Sequence, residues 1–296
     1  MRILVLGQTG QLGAELLTVG RRRGLKISGL GHDQIDVASS ASVEAAIDLA
    51  AGDVVINTTA FHVVPECEHR PELALAVNAA GVQILARHCH RLGIGLVTFS
   101  TDYVFDGRTR DPYDEDAAPH PLQTYGLSKL AGEHLCRLYH PDSLVIRSCG
   151  VYGGATGSRA KQGNFVLSIL RASESKSEIE VSSEQIVNPT WARDLAEATL
   201  ELLTRRPAGG IYHLAAEGHC SWAEFAAEIL ALAGRAARVV PVDQGGRSGD
   251  LRRPLFSALD NRRARALGVV LPHWKEGLKG YLADIGRAAD ASSARA

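Results

Sequence analysis

Tyr125 and Lys129 stand four residues apart in Tyr125-Gly-Leu-Ser-Lys129. On a helix that spacing places both side chains on one face. A phenol, with an ordinary pKa of about 10, is a poor acid–base group at neutral pH unless a neighbouring ammonium favours its anion. Lowering that pKa by about three units takes roughly 4 kcal/mol of differential interaction, and one lysine supplies part of it. A second set, Gly7-Gln-Thr-Gly10-Gln-Leu-Gly13, has the spacing G-x-x-G-x-x-G. Glycines between a strand and a helix let the backbone approach a pyrophosphate, whose charge rests at the helix N-terminus. A third set, Phe99-Ser100-Thr101-Asp102-Tyr103-Val104-Phe105-Asp106-Gly107, begins where an apolar run ends. A hydroxyl there can hydrogen-bond the carbonyl or hydroxyl of a ligand, because open α/β sheets bind ligands beyond the carboxyl ends of their strands. Each set also has a plainer reading: an exposed helix face, a tight turn, a polar strand end.

The elements that must carry these residues follow from hydrophobic patterning. Short apolar runs at 2–6, 25–30, 54–57, 94–100 and 144–147 read as buried strands. Helical spacing occupies 11–22, 43–51, 71–92 and 127–139, with Pro71 suited to a first turn. This alternation predicts an α/β, doubly wound parallel sheet. Beyond it the pattern loosens. Helices are expected at 165–172, 194–204 and 222–233, the last behind a Ser221 cap, and a strand at 211–214. The Gly-, Ser- and Lys-rich stretch 153–163 and the polar stretch 244–250 read as loops. Residues 286–296 have no apolar face and are expected to be a disordered tail.

Composition narrows the function classes. The chain has 296 residues, 45% apolar and 22% charged, which is ordinary globular usage. Thirty-two basic residues face thirty-three acidic ones, which argues against a nucleic-acid partner. No apolar run approaches a membrane span, and none at the start resembles a secretory h-region. Cys67, Cys89, Cys136, Cys149 and Cys220 are widely spaced, which fits reduced thiols and a cytoplasmic location. His88 and His90 point to different helix faces, so no metal site is expected there. Four acids within 111–116 read as a solvated loop, and Trp191, Trp222 and Trp274 as packing.

Together, Gly7–Gly13, Thr101, Tyr125 and Lys129 resemble the extended short-chain dehydrogenase/reductase superfamily. The segment Ser100–Gly107 is more specific and resembles the dTDP-4-dehydrorhamnose reductase family. So do Val77-Asn78, Asn188-Pro-Thr190, Tyr212-His-Leu214 with Ser221-Trp222, and Arg253-Pro254 through Trp274. The likeness runs from residue 1 to about 283. It implies a Rossmann-type sheet with a smaller, discontinuous C-terminal substrate domain. On this reading 1–152 and about 185–216 bind the dinucleotide, and about 153–184 and 217–285 bind the substrate.

The resemblance further implies NAD(P)H-dependent reduction of a 4-keto deoxysugar nucleotide, dTDP-4-dehydro-L-rhamnose before others. Tyr125 would give the proton, Lys129 would hold the nicotinamide ribose and lower the phenol's pKa, and Thr101 would orient the reacting oxygen. The implied cofactor contacts are Gly7, Gly10, Gln11, Leu12, Gly13, Asp36, Thr58, Thr59 and Ala60, with Tyr125 and Lys129. Thr101, Asp102, Tyr103 and Asn164 would meet the substrate. Leu30-Gly31-His32 carries no acid at the tip of the second strand, which leaves NADPH and NADH both open. The partner is a small-molecule sugar nucleotide, with no nucleic acid and no membrane; a homodimer stays open.

The chain departs from the family at Pro65 and Cys67, where many members have Asp and Ala, and at Gly150, where many have Trp. Its 153–163 loop is also longer. These differences fall on the sugar pocket and leave the exact sugar open. Two rival readings stand beside the reductase. A sugar-nucleotide epimerase or dehydratase is one, but the dehydratase branch has Glu where this chain has Tyr103. A non-catalytic, NADP-binding subunit like the regulatory subunit of methionine adenosyltransferase is the other, since fold likeness alone does not decide activity.

Overall fold

The computed structural model describes residues 1–50, 52–155, 157–158, 163–243, 247–248 and 251–288. Expectations for most of 244–250, part of 153–163 and the tail from 289 lie outside these residues. Six strands form one sheet: β1 (Arg2–Leu6), β2 (Lys26–Leu30), β3 (Val54–Asn57), β4 (Gly95–Thr101), β5 (Leu144–Ser148) and β6 (Gly210–His213). Their spatial order is β6-β5-β4-β3-β1-β2, and every pairing is parallel. The order reverses between β1 and β3, so a crevice opens at their carboxyl ends.

Both faces of the sheet are covered, which is why its strands are nearly all apolar. Gln11–Arg22 and Ala192–Thr204 cover one face, with Leu16, Val19, Leu195 and Leu200 in the core against Ile3, Val5 and Ile146. Ser40–Ala50, Gly81–Leu92 and Thr124–Tyr139 cover the other, with Val43, Ile47, Leu85 and Cys136 against Leu4, Val55 and Val145. A second core lies beyond β5 and gathers Tyr152, Val166, Val181, Phe225, Trp274 and Tyr281.

The helix expected over 71–92 is interrupted. Pro71–Leu75 and Gly81–Leu92 are α-helical, and Ala76–Ala80 between them is a π turn. A further helix, Val64–His69, precedes it where no element was expected. The second core holds a parallel pair missed in the same way, Glu178–Ser182 with Arg238–Val242, and the helix Trp274–Asp284. The 111–116 segment is a solvated loop only in part, with Asp111 and Asp116 exposed. Glu115 is buried and accepts from the His213 and Arg263 backbone N–H groups, while Asp114 and Asp116 pair with Arg262.

Candidate functional site

The crevice between β1 and β3 is built for close backbone approach. The Gly7 and Gln8 N–H groups donate to the Leu30 carbonyl at 2.9 and 3.1 Å, fastening the loop to the end of β2. Thr58 Oγ1 donates to the Leu6 carbonyl at 2.7 Å, joining β3 to β1. A Cβ on Gly13 would stand 2.2 Å from the Gly7 carbonyl oxygen, so helix and loop meet at a distance that only glycine permits. The helix Gln11–Arg22 has no side-chain cap and no acid in its first turn. Its N–H groups and positive dipole end are therefore available to an anion, and the residues present fit a dinucleotide pyrophosphate.

Several of the expected cofactor residues have contacts within the protein. Leu12 packs into the core. Asp36 is exposed and accepts from the Ala38 N–H at 3.0 Å, closing the turn that leads into Ser40–Ala50. Thr59 bonds Asn57 through its N–H and its hydroxyl, and the Ala60 carbonyl lies 3.3 Å from His62 Nδ1. Arg22 and Arg23 lie at the far end of their helix and pair with Glu197, well away from the glycine loop.

Thr101 ends β4, and Tyr125 lies in the first turn of Thr124–Tyr139, three residues earlier than the expected helix start. The Thr101 hydroxyl lies close enough to the Tyr125 phenol to pull its pKa down. Thr101 Oγ1 also donates to Asp102 Oδ1 at 3.1 Å, and Ser257 Oγ donates to Asp102 Oδ2 at 2.6 Å. Asp102 is buried, and burial raises its pKa despite these bonds. The Tyr125 phenol is raised above its ordinary range, first by burial and then by the charge of Asp102, with Thr101 opposing. The lowering expected from Lys129 is not seen in the protein alone, and the phenol carries its proton at neutral pH. Lys129, one turn on, is buried, which lowers its pKa to about 8 against an opposing pull from Glu133. A protonated phenol beside a hydroxyl, with a lysine one turn away, can deliver a proton to an oxygen placed between them.

Two elements hold this group in place. Glu133 accepts from Arg147 Nε at 2.9 Å and Nη2 at 2.7 Å and from the Ser100 hydroxyl, tying the Tyr125 helix to β4 and β5. Asn78, in the π turn, bonds both backbone groups of Phe61 at 2.9 Å and donates to Ser128 Oγ at 3.0 Å. It thereby ties the loop after β3 to the residue beside Lys129. Asn78 is identifiable from its motif; Glu133 and Arg147 carry no sequence signal, being 14 apart on different elements.

A cleft of about 770 Å³ runs from Gln11 past Thr101 and Tyr125 into the second core. Gln11 Oε1 accepts from the Gly153 N–H at 2.9 Å, and Asn164 Nδ2 donates to Tyr281 Oη at 2.9 Å and to the Gly153 carbonyl at 3.2 Å. Asn164 Oδ1 caps its own helix at Leu167. Tyr103 stands edge-on to Tyr125, ring centroids 6.1 Å apart, and burial pushes its pKa up to about 12. Arg253 Nη1 donates to Tyr103 Oη at 3.4 Å, while its buried Nε has no hydrogen-bond partner among the described residues. Arg253 and His62 both line the cleft and were not expected there as ligand contacts. Trp191 and Trp274 are core residues as expected, but Trp222 lines the cleft.

The chain matches the family model described as RmlD substrate binding domain over residues 1–287. The chain belongs to this family. It is 37% identical over 289 residues to the spore coat polysaccharide biosynthesis protein SpsK of Bacillus subtilis, covering 98% of this chain and 99% of the relative. It is 36% identical to a dTDP-4-dehydrorhamnose reductase of Streptomyces griseus, covering 97% and 95%. A solved dTDP-4-dehydrorhamnose reductase of Bacillus anthracis in complex with NADP has a TM-score of 0.89 at 30% identity, covering 96% of this chain and 99% of that one. A UDP-glucose 4-epimerase of Thermus thermophilus, at 22% identity and a TM-score of 0.81, shares the fold.

Proposed function

We propose that the chain reduces the 4-keto group of a dTDP-linked 6-deoxysugar, dTDP-4-dehydro-L-rhamnose to dTDP-L-rhamnose, with NADPH or NADH. The observation that carries this reading is that Thr101 and Tyr125 line one cleft together with Gln11, and that Lys129 stands one turn beyond Tyr125 on the same helix. The family membership and the reductases among its relatives support it.

Gly7, Gly10, Gly13 and the N-terminus at Gln11 would hold the pyrophosphate, and Lys129 the nicotinamide ribose. The bound cofactor supplies hydride. Thr101 orients the ketone oxygen and Tyr125 gives it the proton, its raised pKa keeping the phenol in the donor form. Arg253, with its unpaired Nε, is suited to a phosphate oxygen of the sugar nucleotide. Asp102, Tyr103 and Asn164 would line the sugar side, Asp102 acting through Thr101. Tyr103 sits where the dehydratase branch has Glu, and its phenol, held near 12, stays protonated at neutral pH and cannot take up a proton as a carboxylate does.

The two-core arrangement supports a dinucleotide domain of 1–152 with about 185–216 and a substrate domain of about 153–184 with 217–285. Five buried cysteines, none of them in a disulfide, favour a cytoplasmic location. Exposed Leu127 and Leu138, eleven residues apart on one helix, favour a homodimer through that face.

The test is oxidation of NADPH and NADH by the purified protein, with and without dTDP-4-dehydrorhamnose. Substrate-dependent oxidation is expected. A relative from Streptomyces niveus, 32% identical, is a dTDP-4-keto-6-deoxy-D-glucose reductase, so that ketone forms the second arm. Oxidation with neither ketone would overturn the reading.

A further inference from the structure

The cleft is lined by two unlike sets of side chains. Thr101, Asp102 and Tyr125 give it polar lining, and Phe165, Val187 and Trp222 apolar lining. Trp222 begins the helix Trp222–Leu232, whose start is fixed by a capping box between Ser221 and Glu224. Its backbone N–H donates to the Gln185 carbonyl at 3.3 Å. Its ring lies 4.5 Å from that of Phe165, tilted by 44°, and 6.1 Å from that of Phe225. The far edge of the indole stands 3.5 Å from where a Cβ on Gly150 would be. Gly150 has φ +57°, in the left-handed region, and follows β5 by two residues. The indole thus reaches from the second core to the strand end beside Thr101. Trp191 and Trp274 are 8% and 5% exposed, whereas Trp222 is only partly buried, so its free surface faces the cleft.

We propose that Trp222, backed by Phe165, is the surface on which the sugar ring lies, and that it selects a 6-deoxyhexose. The inference rests on the reductase reading for the identity of the sugar nucleotide. A 6-deoxyhexose presents a methyl group and ring C–H bonds on one face, and indole carbon is a favourable partner for both. A 6-hydroxyl against the same ring would lose its water and gain no hydrogen bond. With the sugar's apolar face on Trp222, its ketone is left for Thr101 and Tyr125, which line the same cleft. Trp222 is therefore a specificity-determining residue, distinct from the proton-transfer group.

The experiment is a tryptophan-emission titration of the wild type and of Trp222→Phe with dTDP-L-rhamnose and with dTDP alone. It is run alongside steady-state kinetics and NADPH binding for Trp222→Phe and Trp222→Ala. In the wild type, dTDP-L-rhamnose is expected to change the emission well beyond the change caused by dTDP, and Trp222→Phe should abolish the difference. Trp222→Ala should raise KM for the ketone by about tenfold or more with kcat within about threefold, Trp222→Phe should recover most of the loss, and NADPH affinity should hold for both. Equal emission changes with dTDP and dTDP-L-rhamnose would overturn the proposal. So would a Trp222→Ala KM within twofold of wild type. If Trp222→Ala does not fold, the titration with Trp222→Phe still decides. An emission change without any NADPH oxidation would remove the reductase reading and leave the sugar surface standing; oxidation without the emission change would do the reverse.

Discussion

Arg147 and Glu133 form a bidentate ion pair directly behind the helix that carries Tyr125, with both side chains almost completely buried. The Arg147 guanidinium also lies 5.1 Å from the centre of the Phe105 ring. The pair anchors the Tyr125 helix to β5, and so fixes Tyr125 and Lys129 relative to Thr101 on the adjacent β4. A buried pair of this kind adds little net stability over an apolar substitute, but losing one partner strands a charge. Glu133→Gln should therefore cost on the order of 3–5 kcal/mol in denaturant unfolding. Glu133→Gln combined with Arg147→Met should recover most of that loss. A single variant as stable as wild type would show that the pair does not anchor the helix.

Tyr125→Phe removes the proton donor and little else. Turnover should fall by roughly 10²–10⁴, the usual contribution of a positioned acid. NADPH affinity, measured by titration, should be nearly unchanged. Wild-type turnover in this variant would exclude Tyr125 from proton transfer.

Lys129 carries a stability cost whose sign can be worked out. Its folded pKa is about 8, below the ordinary lysine value of 10.5, so between those values the unfolded chain holds more protons. Stability from this group therefore rises as pH climbs from about 8 to 10.5, and below about 8 the cost is present in full. It is on the order of 3 kcal/mol at 1.36 kcal/mol per unit. Lys129→Met should unfold at higher denaturant than wild type at pH 7, with the advantage fading above the unfolded pKa. The same variant should bind NADPH more weakly and turn over more slowly. Unchanged affinity and turnover would refute the lysine's role toward the cofactor.

Gly13→Ala tests the glycine loop. The new methyl would meet Gly7 backbone atoms at 2.2 and 2.8 Å, and backbone cannot swing aside as a side-chain end can. NADPH affinity should drop by about tenfold or more, with a stability loss on the order of 1–3 kcal/mol from overpacking. Wild-type affinity would show that the loop does not cradle the pyrophosphate.

The central sheet was legible in the sequence because most of its strands are buried on both faces and read as short apolar runs, the edge strand β2 being only partly buried. Tyr125 and Lys129 were legible because helix geometry alone joins residues four apart. Other features depend on contacts that no local pattern encodes. Val64–His69 is too short to show a helical period, and Glu178–Ser182 alternates inward and outward positions only across five residues. Glu133 and Arg147 meet only after helix and strand have packed. Trp222 has the residue type of a core filler, and only the partly open side of its ring distinguishes it from Trp191.

The π turn at Ala76–Ala80 has one more residue per turn than the α-helix on either side. Such a turn behaves as a single-residue insertion absorbed within a helix, and it acts as a phase shifter. Removing one residue there would restore a regular helix and leave the flanking segments facing nearly as they do now, but it would take Asn78 off its place in the wide turn. Asn78 would then lose Phe61 and Ser128 together, although every neighbouring side chain kept its chemical identity. The wide turn is therefore the register mark that aligns the loop after β3 with the helix of Tyr125 and Lys129, and a deletion one residue long would be felt there more than most substitutions.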